Sequence, residues 1–116
     1  MLYLSMIKSR SKKRKPQNKK IIPLNSNASK NDISRYPFVE IEWFDIESDA
    51  NWIETKDLSV EKLPLCVSTG YLLSQKKGVT RIFSDYIKSK NKPTFENISG
   101  TTIIPTSVIQ SIRKFR

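Results

Sequence analysis

The residues of this chain best suited to binding are basic, and they cluster near its start. The segment 8–20, KSRSKKRKPQNKK, contains eight lysines and arginines, namely Lys8, Arg10, Lys12, Lys13, Arg14, Lys15, Lys19 and Lys20. Closely spaced cations neutralise successive phosphates and release their counterions, which gives affinity without sequence readout. The segment has no aromatic side chain that would stack on bases. We therefore predict a non-specific contact with RNA, DNA or another polyanion, such as an acidic protein surface.

Two other interpretations of the basic segment stay open at this point. The KKRK run resembles a nuclear localisation signal, and an acid-poor start that contains serine resembles an organelle presequence. A solvated tail without a partner is the plainest alternative. The predicted location is intracellular, in a host cytoplasm or a virion, with the nucleus or an organelle as the alternative; no membrane partner is predicted.

The remaining residue types argue against catalysis. The chain has no histidine and a single cysteine, Cys66. Histidine is the commonest general base near neutral pH and a common ligand of transition metals. We therefore predict no catalytic residues, no metal and no cofactor, and we expect Cys66 to be a small buried residue.

An acidic stretch, 40–61, carries eight carboxylates against one lysine, Lys56. A catalytic carboxylate pair, a metal site and a surface for a partner's basic arm are each compatible with it. The plain interpretation is a solvated strand face and loop. The twelve-residue calcium-loop pattern, with its glycine and final glutamate, is absent.

The charge distribution divides the chain into two parts. Residues 1–35 contain ten basic residues and one acid, and residues 36–116 contain eleven basic residues and ten acids. A polar, self-repelling run cannot bury enough apolar surface to offset its ordering entropy. We therefore predict a basic, largely disordered arm and linker over 1–35 and a folded module over 36–116. Apolar anchors within the arm are predicted to contact a partner or the module, and these are Ile21, Ile22 and Leu24.

The module reads as a series of short strands. In YPFVEIEWFDI, the residues Val39, Ile41 and Trp43 alternate with polar or outward residues, which is the period of a half-buried strand. Residues 66–87 predict a hairpin around QKKG, with Gly78 in the turn. The segment 89–100 reads as a polar loop, and 101–105 as a short strand that ends at Pro105.

Two further segments are less regular. TKDLSVEKL, at 55–63, predicts a short helical turn, and SVIQSIRKF, at 107–115, fits either a helical turn or a final strand. Four or five strands of this length predict a mainly β fold, a small antiparallel SH3-like or Sm-like barrel with a short helical turn. A curled sheet backed by one short helix is the alternative.

Four residues of the module, Trp43, Trp52, Gly70 and Pro105, are predicted to shape it. Trp43 and Trp52 are expected to fill the core or a barrel mouth, with an aromatic groove for a peptide or nucleotide as the alternative. Gly70, inside a strand, is expected to mark a bend or bulge.

The ordered motifs of the module resemble a family of small, poorly characterised phage-encoded proteins. The pattern is W-x-D, a second tryptophan, C-x-S-x-G and a late I-P-x-x-x-I. The matching residues are Trp43, Asp45, Trp52, Cys66, Ser68, Gly70, Ile104, Pro105 and Ile109. The resemblance covers roughly 39–112, excludes the basic arm, and implies an origin and a fold rather than an activity.

Together these observations predict a non-enzymatic, phage-type accessory module. Its basic arm would bind nucleic acid or another polyanion while the barrel docks on a partner. The alternative is a structural or assembly subunit of a virion or ribonucleoprotein particle, in which the arm threads between neighbouring proteins. A large assembly or a homo-oligomer fits either hypothesis.

Overall fold

The computed structural model describes residues 20–92 and 94–115, and this part of the chain is mainly β. The strands are β1 (Phe38–Phe44), β2 (Leu65–Lys76), β3 (Val79–Lys88), β4 (Phe95–Pro105) and β5 (Ile109–Lys114). The short helices are α1 (Thr55–Leu58) and two 3-10 turns, Ile33–Arg35 and Thr106–Val108. The strands form one antiparallel sheet in the order β4-β3-β2-β1-β5. The predicted β class, hairpin, helical turn and final strand are confirmed.

The sheet is curled but not closed. β4 and β5 are its two edges, and no ladder joins them within the described residues. Four strand spacings of a flat sheet would separate these edges by ~19 Å. The four residue steps from Pro105 to Ile109 span at most ~14 Å. The two edges must therefore approach each other at this end, although no ladder between them closes the predicted SH3-like or Sm-like barrel within the described residues.

Alternation along β1 decides which side chains enter the core. Val39 and Ile41 are fully buried, and Trp43 packs against the same cluster. β1 lies between β2 and β5, so both of its backbone edges are paired, with Ile41 opposite Ser68 and Ile112. The strand that the sequence predicted from its two-residue period is confirmed.

The β2–β3 hairpin turns through two residues with positive φ. Lys77 has φ 54° and Gly78 has φ 75°. Two left-handed residues match the right-handed twist of the flanking strands, which is why such turns dominate tight hairpins. The predicted place of Gly78 in the turn is confirmed.

Both faces of the sheet are buried in part. One cluster contains Val39, Ile41, Leu72, Ile82, Ile104, Ile109 and Ile112. The other is aromatic and contains Tyr36, Phe83 and Phe95. Leu24 packs against both clusters, and Ile33 packs against the aromatic one.

Residues 20–35, which the sequence assigned to the arm and linker, contact the sheet. The Phe95 amide donates to the Asn31 carbonyl at 2.9 Å, and Asp32 forms an isolated bridge with Thr94. This part of the predicted arm is therefore placed by tertiary contacts. The domain boundary at 35/36 stays a prediction.

β4 is longer than the sequence predicted. Residues 95–100 were expected in a polar loop, but β4 begins at Phe95 and runs eleven residues. Phe95 is 7% exposed because it packs against Tyr36 and Phe83, at ring-centroid distances of 5.7 Å to each. Burial of this one ring brings a polar segment into the sheet.

Gly70 allows two strands to approach closely. A Cβ at this position would lie 2.8 Å from the Phe83 carbonyl oxygen. The predicted irregularity lies nearby, since the β2–β3 register shifts between Leu72 and Ser74. The glycine itself is required by the contact with β3.

Candidate nucleic-acid interface

The predicted basic arm meets the sheet near the C-terminal end of β2. The Gln75 amide nitrogen donates to the Lys20 carbonyl at 2.5 Å, and the Ile22 amide donates to Gln75 Oε1 at 2.8 Å. One side chain thus binds the backbone on both sides of Ile21. These hydrogen bonds determine where the chain leaves the sheet towards residues 1–19.

A buried hydroxyl network supports Gln75. Gln75 Nε2 donates to Thr80 Oγ1 at 3.1 Å, and Thr80 Oγ1 lies 2.8 Å from Thr106 Oγ1. Thr80 is fully buried. Leaving such a hydroxyl without a partner costs ~1–3 kcal/mol, so this network favours one position for Gln75 and for the backbone that it holds.

Two adjacent grooves begin beside this junction. The first, of about 480 Å³, is called the exit groove and has Lys30, Arg35 and Lys76 in its lining. The second, of about 650 Å³, is called the aromatic groove and has Arg35 and Lys114 in its lining. The two linings share Leu24, Arg35 and Tyr36. Neither lining contains an acidic residue, and the exit groove begins at Ile21, the residue after Lys20. The two linings together are called the basic track.

The cations of this track are not neutralised by carboxylates. Among the described residues the ion pairs are Lys56–Glu54 and Arg113–Glu40. One guanidinium nitrogen of Arg35 donates to the Ala28 carbonyl at 2.7 Å, which orients the side chain without cancelling its charge.

The turn that carries Arg35 is capped by Asp32. One carboxylate oxygen, Asp32 Oδ1, accepts the Ser34 amide at 2.9 Å and the Ser34 hydroxyl at 2.8 Å. Hydrogen bonds to the charged form, the backbone one above all, lower the pKa of Asp32 below its usual value. Asp32 also bridges to Thr94, so the cap ties the Arg35 turn to the start of β4.

Most of the predicted phosphate-binding residues lie outside the described part of the chain. These are Lys8, Arg10, Lys12, Lys13, Arg14, Lys15 and Lys19. Lys20 is described and exposed, and its carbonyl is held by Gln75. The structure adds Lys30, Lys76 and Lys114 to this surface, which they approach through tertiary contacts.

The three predicted partner-binding residues differ in their surroundings. Ile22 and Leu24 are half-buried and pack against this chain's own core. Ile21 is 57% exposed. The sequence predicted that these residues contact either the module or a partner, and their positions are compatible with both. Partner binding by the three residues stays a prediction.

The acidic stretch ends in a projecting loop. The β1–β2 loop, 45–64, is pinned at its base by the Asp45 amide, which donates to the Pro64 carbonyl at 3.1 Å. It contains six acids and two lysines and lines a groove of about 680 Å³. Its exposed apolar side chains are Ile46, Trp52, Ile53, Leu58, Val60 and Leu63.

The two tryptophans have opposite environments. Trp43 packs on the core as predicted, and its indole N–H donates to Ser68 Oγ at 3.0 Å. The predicted burial of Trp52 is wrong, because this side chain is 102% exposed. The other apolar side chains of this loop are exposed as well, so local apolar character there does not lead to burial.

Residues that were considered for chemistry are not assembled into a centre. No group of three or more His, Cys, Asp or Glu side chains suitable for a metal is found in residues 20–92 and 94–115. Cys66 is a free thiol and is half-buried rather than fully buried. No helix within the described ranges is long and apolar enough to cross a membrane.

The chain has no detectable relative in the three comparisons that we made. A scan against protein families, a search of curated proteins and a search of solved structures each find no match. The interpretation of the basic track therefore depends on its own geometry and charge.

Proposed function

We propose that this protein is a non-enzymatic, phage-type accessory module. Its basic N-terminal arm binds nucleic acid or another polyanion, and its folded part docks on a partner, in a host cytoplasm or a virion. The observation that carries the proposal is the acid-free basic track that continues from Lys20 over the sheet. A polyanion held by the residues before Lys20 would meet further cations along this track rather than the acidic loop.

The proposed fold of the module is a small SH3-like barrel. Support comes from the strand order β4-β3-β2-β1-β5 and from the 3-10 turn Thr106–Val108, which is the short connection between the two edge strands. The curl that this connection requires gives the sheet an inner face, where Val39, Ile104 and Ile109 pack together.

The proposed relationship to the phage family is motivated by its motif residues, several of which lie close together. The indole of Trp43, from W-x-D, donates to the hydroxyl of Ser68, from C-x-S-x-G. Ile104 and Ile109, from the late I-P-x-x-x-I, are both buried in the core cluster. Residues far apart in the pattern are thus neighbours in one fold, as a shared structural role of the pattern requires.

The proposal is tested by salt-dependent binding of the full chain to labelled duplex DNA and RNA. The test variant replaces Lys12, Lys13 and Lys15 by Ser. The matched control replaces Lys88, Lys90 and Lys92 by Ser, which removes the same charge from the β3–β4 connection. If the arm makes these contacts, the test variant lowers the slope of log affinity against log salt by up to ~2.7 on duplex DNA, at ~0.9 for each phosphate.

The control variant should keep the slope of the wild-type chain. Equal losses for the two variants would mean that net charge, and not the arm, governs binding. A wild-type chain that binds neither duplex DNA nor RNA at low salt would refute the proposal for nucleic acid.

The β1–β2 loop favours a second candidate function, a structural or assembly subunit. A loop with exposed Trp52, Ile46 and Val60 presents apolar surface that a monomer does not normally expose together. Its carboxylates complement a basic segment, so the arm of a neighbouring copy is a suitable partner. The loop of one subunit would then bind the basic arm of a neighbouring subunit, and that arm would run along the loop.

Sedimentation of the full chain over a concentration series tests this candidate. Trp52→Ser is expected to reduce self-association, because it removes exposed apolar surface from the loop. It should leave the fold intact, because the Trp52 side chain is fully exposed and makes no intramolecular packing that could be lost. Ile103→Ser is the matched control, since Ile103 is 64% exposed on β4, away from the loop. A monomeric wild-type chain at all concentrations would refute self-assembly through this loop.

A further inference from the structure

The aromatic groove contains several rings whose planes differ. Phe38 and Tyr86 both meet Tyr71 edge to face, at centroid distances of 5.0 Å and 5.7 Å and interplanar angles of 70° and 82°. Phe38 is 37% exposed, and Tyr71 and Tyr86 are half-buried. The groove therefore offers ring surface to a planar ligand while the ring edges remain fixed by one another.

These rings are held in place by the sheet. Tyr71 stacks on the fully buried Phe83 at 5.4 Å, with an angle of 28° between the rings. The backbone on both sides of the Phe38 ring is fixed as well. The Leu72 amide donates to the Pro37 carbonyl, and the Phe115 amide donates to the Phe38 carbonyl, each at 2.8 Å. A ligand would thus meet a preorganised surface, which reduces the entropy lost on binding.

The charges at the groove favour an anionic ligand. Arg35 and Lys114 are in the lining, which contains no acidic residue; the neighbouring carboxylate of Asp32 accepts hydrogen bonds from the lining residue Ser34. Arg113 is occupied differently, since it pairs with Glu40 at 2.6 Å and lies over the Phe115 ring at 5.1 Å. Arg35 and Lys114 form no ion pair among the described residues and can contact phosphates. Phe38 also packs on Phe115 at 5.4 Å and Tyr86 on Phe95 at 5.5 Å, so a planar group would stack on the exposed part of each ring.

We infer that the aromatic groove is a base-stacking site for single-stranded nucleic acid. Phe38 and Tyr86 are the stacking rings, and Arg35 and Lys114 contact the flanking phosphates. Aromatic rings beside a positive track are the combination by which proteins bind single strands without reading sequence. The inference rests on the proposed function, because the arm supplies the phosphate contacts that bring a strand to the groove.

The position of Lys20 agrees with this assignment. Pro23 lines the groove, and Lys20 lies three residues before it, a span of at most ~11 Å. A strand bound by the cations around Lys20 therefore passes close to the rings. Bases in a duplex are stacked on one another, so only unpaired bases can reach Phe38 and Tyr86.

The experiment compares two ligands of equal length and charge, an oligothymidylate and an abasic phosphodiester oligomer. Fluorescence anisotropy with the full chain measures both affinities at one salt concentration. The wild-type chain should bind the oligothymidylate about tenfold more tightly, the ratio expected from stacking of one base. Phe38→Leu and Tyr86→Leu should each reduce this ratio towards one, because leucine retains apolar bulk but has no ring face.

Phe44→Leu is the matched control, since Phe44 lies on β1 and is not in the groove lining. It should leave the affinity ratio unchanged, and far-UV circular dichroism of each variant shows that the sheet is intact. Equal affinity of the wild-type chain for both ligands would overturn the stacking site and leave the polyanion proposal standing. Failure to bind either ligand would overturn both. A loss with Phe44→Leu equal to that with Phe38→Leu would overturn the assigned position.

Discussion

Gln75 is the side chain whose replacement should test most directly how the arm is joined to the sheet. It makes hydrogen bonds to the backbone at Lys20 and Ile22 and to the hydroxyl of Thr80. In Gln75→Ala all three are lost, while the Thr80 hydroxyl keeps Thr106 as a partner. Each such hydrogen bond contributes about 1 kcal/mol net, and less where water competes. We therefore expect a loss of ~2–3 kcal/mol in the free energy of unfolding.

A double-mutant cycle separates the two parts of that loss. In a chain without residues 1–22, the two backbone partners of Gln75 are absent, and Gln75→Ala should then remove only the contact with Thr80. The expected coupling energy between the deletion and the substitution is ~1–2 kcal/mol. Because the cycle compares the same substitution in two backgrounds, other consequences of the deletion cancel.

Urea denaturation followed by tryptophan fluorescence is the assay. Trp43 packs on the core and reports unfolding, whereas Trp52 is fully exposed and adds background. All four chains are therefore made with Trp52→Phe. An equal cost of Gln75→Ala with and without residues 1–22 would refute the reasoning, because it would mean that Gln75 does not hold the arm junction in solution.

Three further predictions concern stability. Gly70→Ala should lower the free energy of unfolding by ~1–3 kcal/mol, because the added Cβ would lie 2.8 Å from the Phe83 carbonyl oxygen and β2 and β3 would have to separate. In Gly78→Ala the added Cβ meets no atom within 4 Å, but φ is 75°, so this variant should lower the free energy of unfolding by only about 1 kcal/mol. Urea titrations compare the two variants. If Gly70→Ala is not the more destabilising, the close approach of β2 and β3 is contradicted. Trp52→Ser should change stability by less than ~0.5 kcal/mol, since its side chain is fully exposed, and a larger loss in thermal denaturation would show that the loop packs in solution. Asp32 has a folded-state pKa below its unfolded value, so its stabilisation is present above the unfolded pKa and is lost as pH falls through the folded pKa. The stability difference between the wild-type chain and Asp32→Asn should accordingly shrink as pH drops below ~4, and urea titrations at several pH values that show a constant difference would contradict the cap.

The strands that could be predicted from sequence are those specified by short-range patterns. The two-residue period of Val39, Ile41 and Trp43 identifies β1, and Gly78 between two apolar runs identifies the β2–β3 turn. In each case the burial or the backbone angle is determined within a few neighbouring residues. Such information is present in any window that contains them.

Other elements depend on partners that are distant in the chain. Phe95 belongs to a strand because it packs on Tyr36 and Phe83, and nothing in its polar neighbourhood indicates this. Trp52 was expected in the core because large aromatic side chains are usually buried, yet this side chain is fully exposed on its loop. Apolar character shows that a side chain gains from burial, but the tertiary fold decides whether a surface is there to bury it.

In the candidate site, too, some features follow from the local sequence and others depend on residues that are distant in the chain. Eight closely spaced cations make the segment 8–20 a polyanion-binding candidate whatever the fold, since charge density along an extended chain needs no tertiary structure to act. The aromatic groove, in contrast, draws Phe38, Tyr71 and Tyr86 from three different strands, and Arg35 and Lys114 reach it from opposite ends of the folded part. Composition and local periodicity alone determined that this chain contains a basic segment at 8–20 and that its described part is mainly β. The pairing of strands far apart in sequence decided which rings and cations share a groove, because only chain folding brings side chains separated by tens of residues within contact distance.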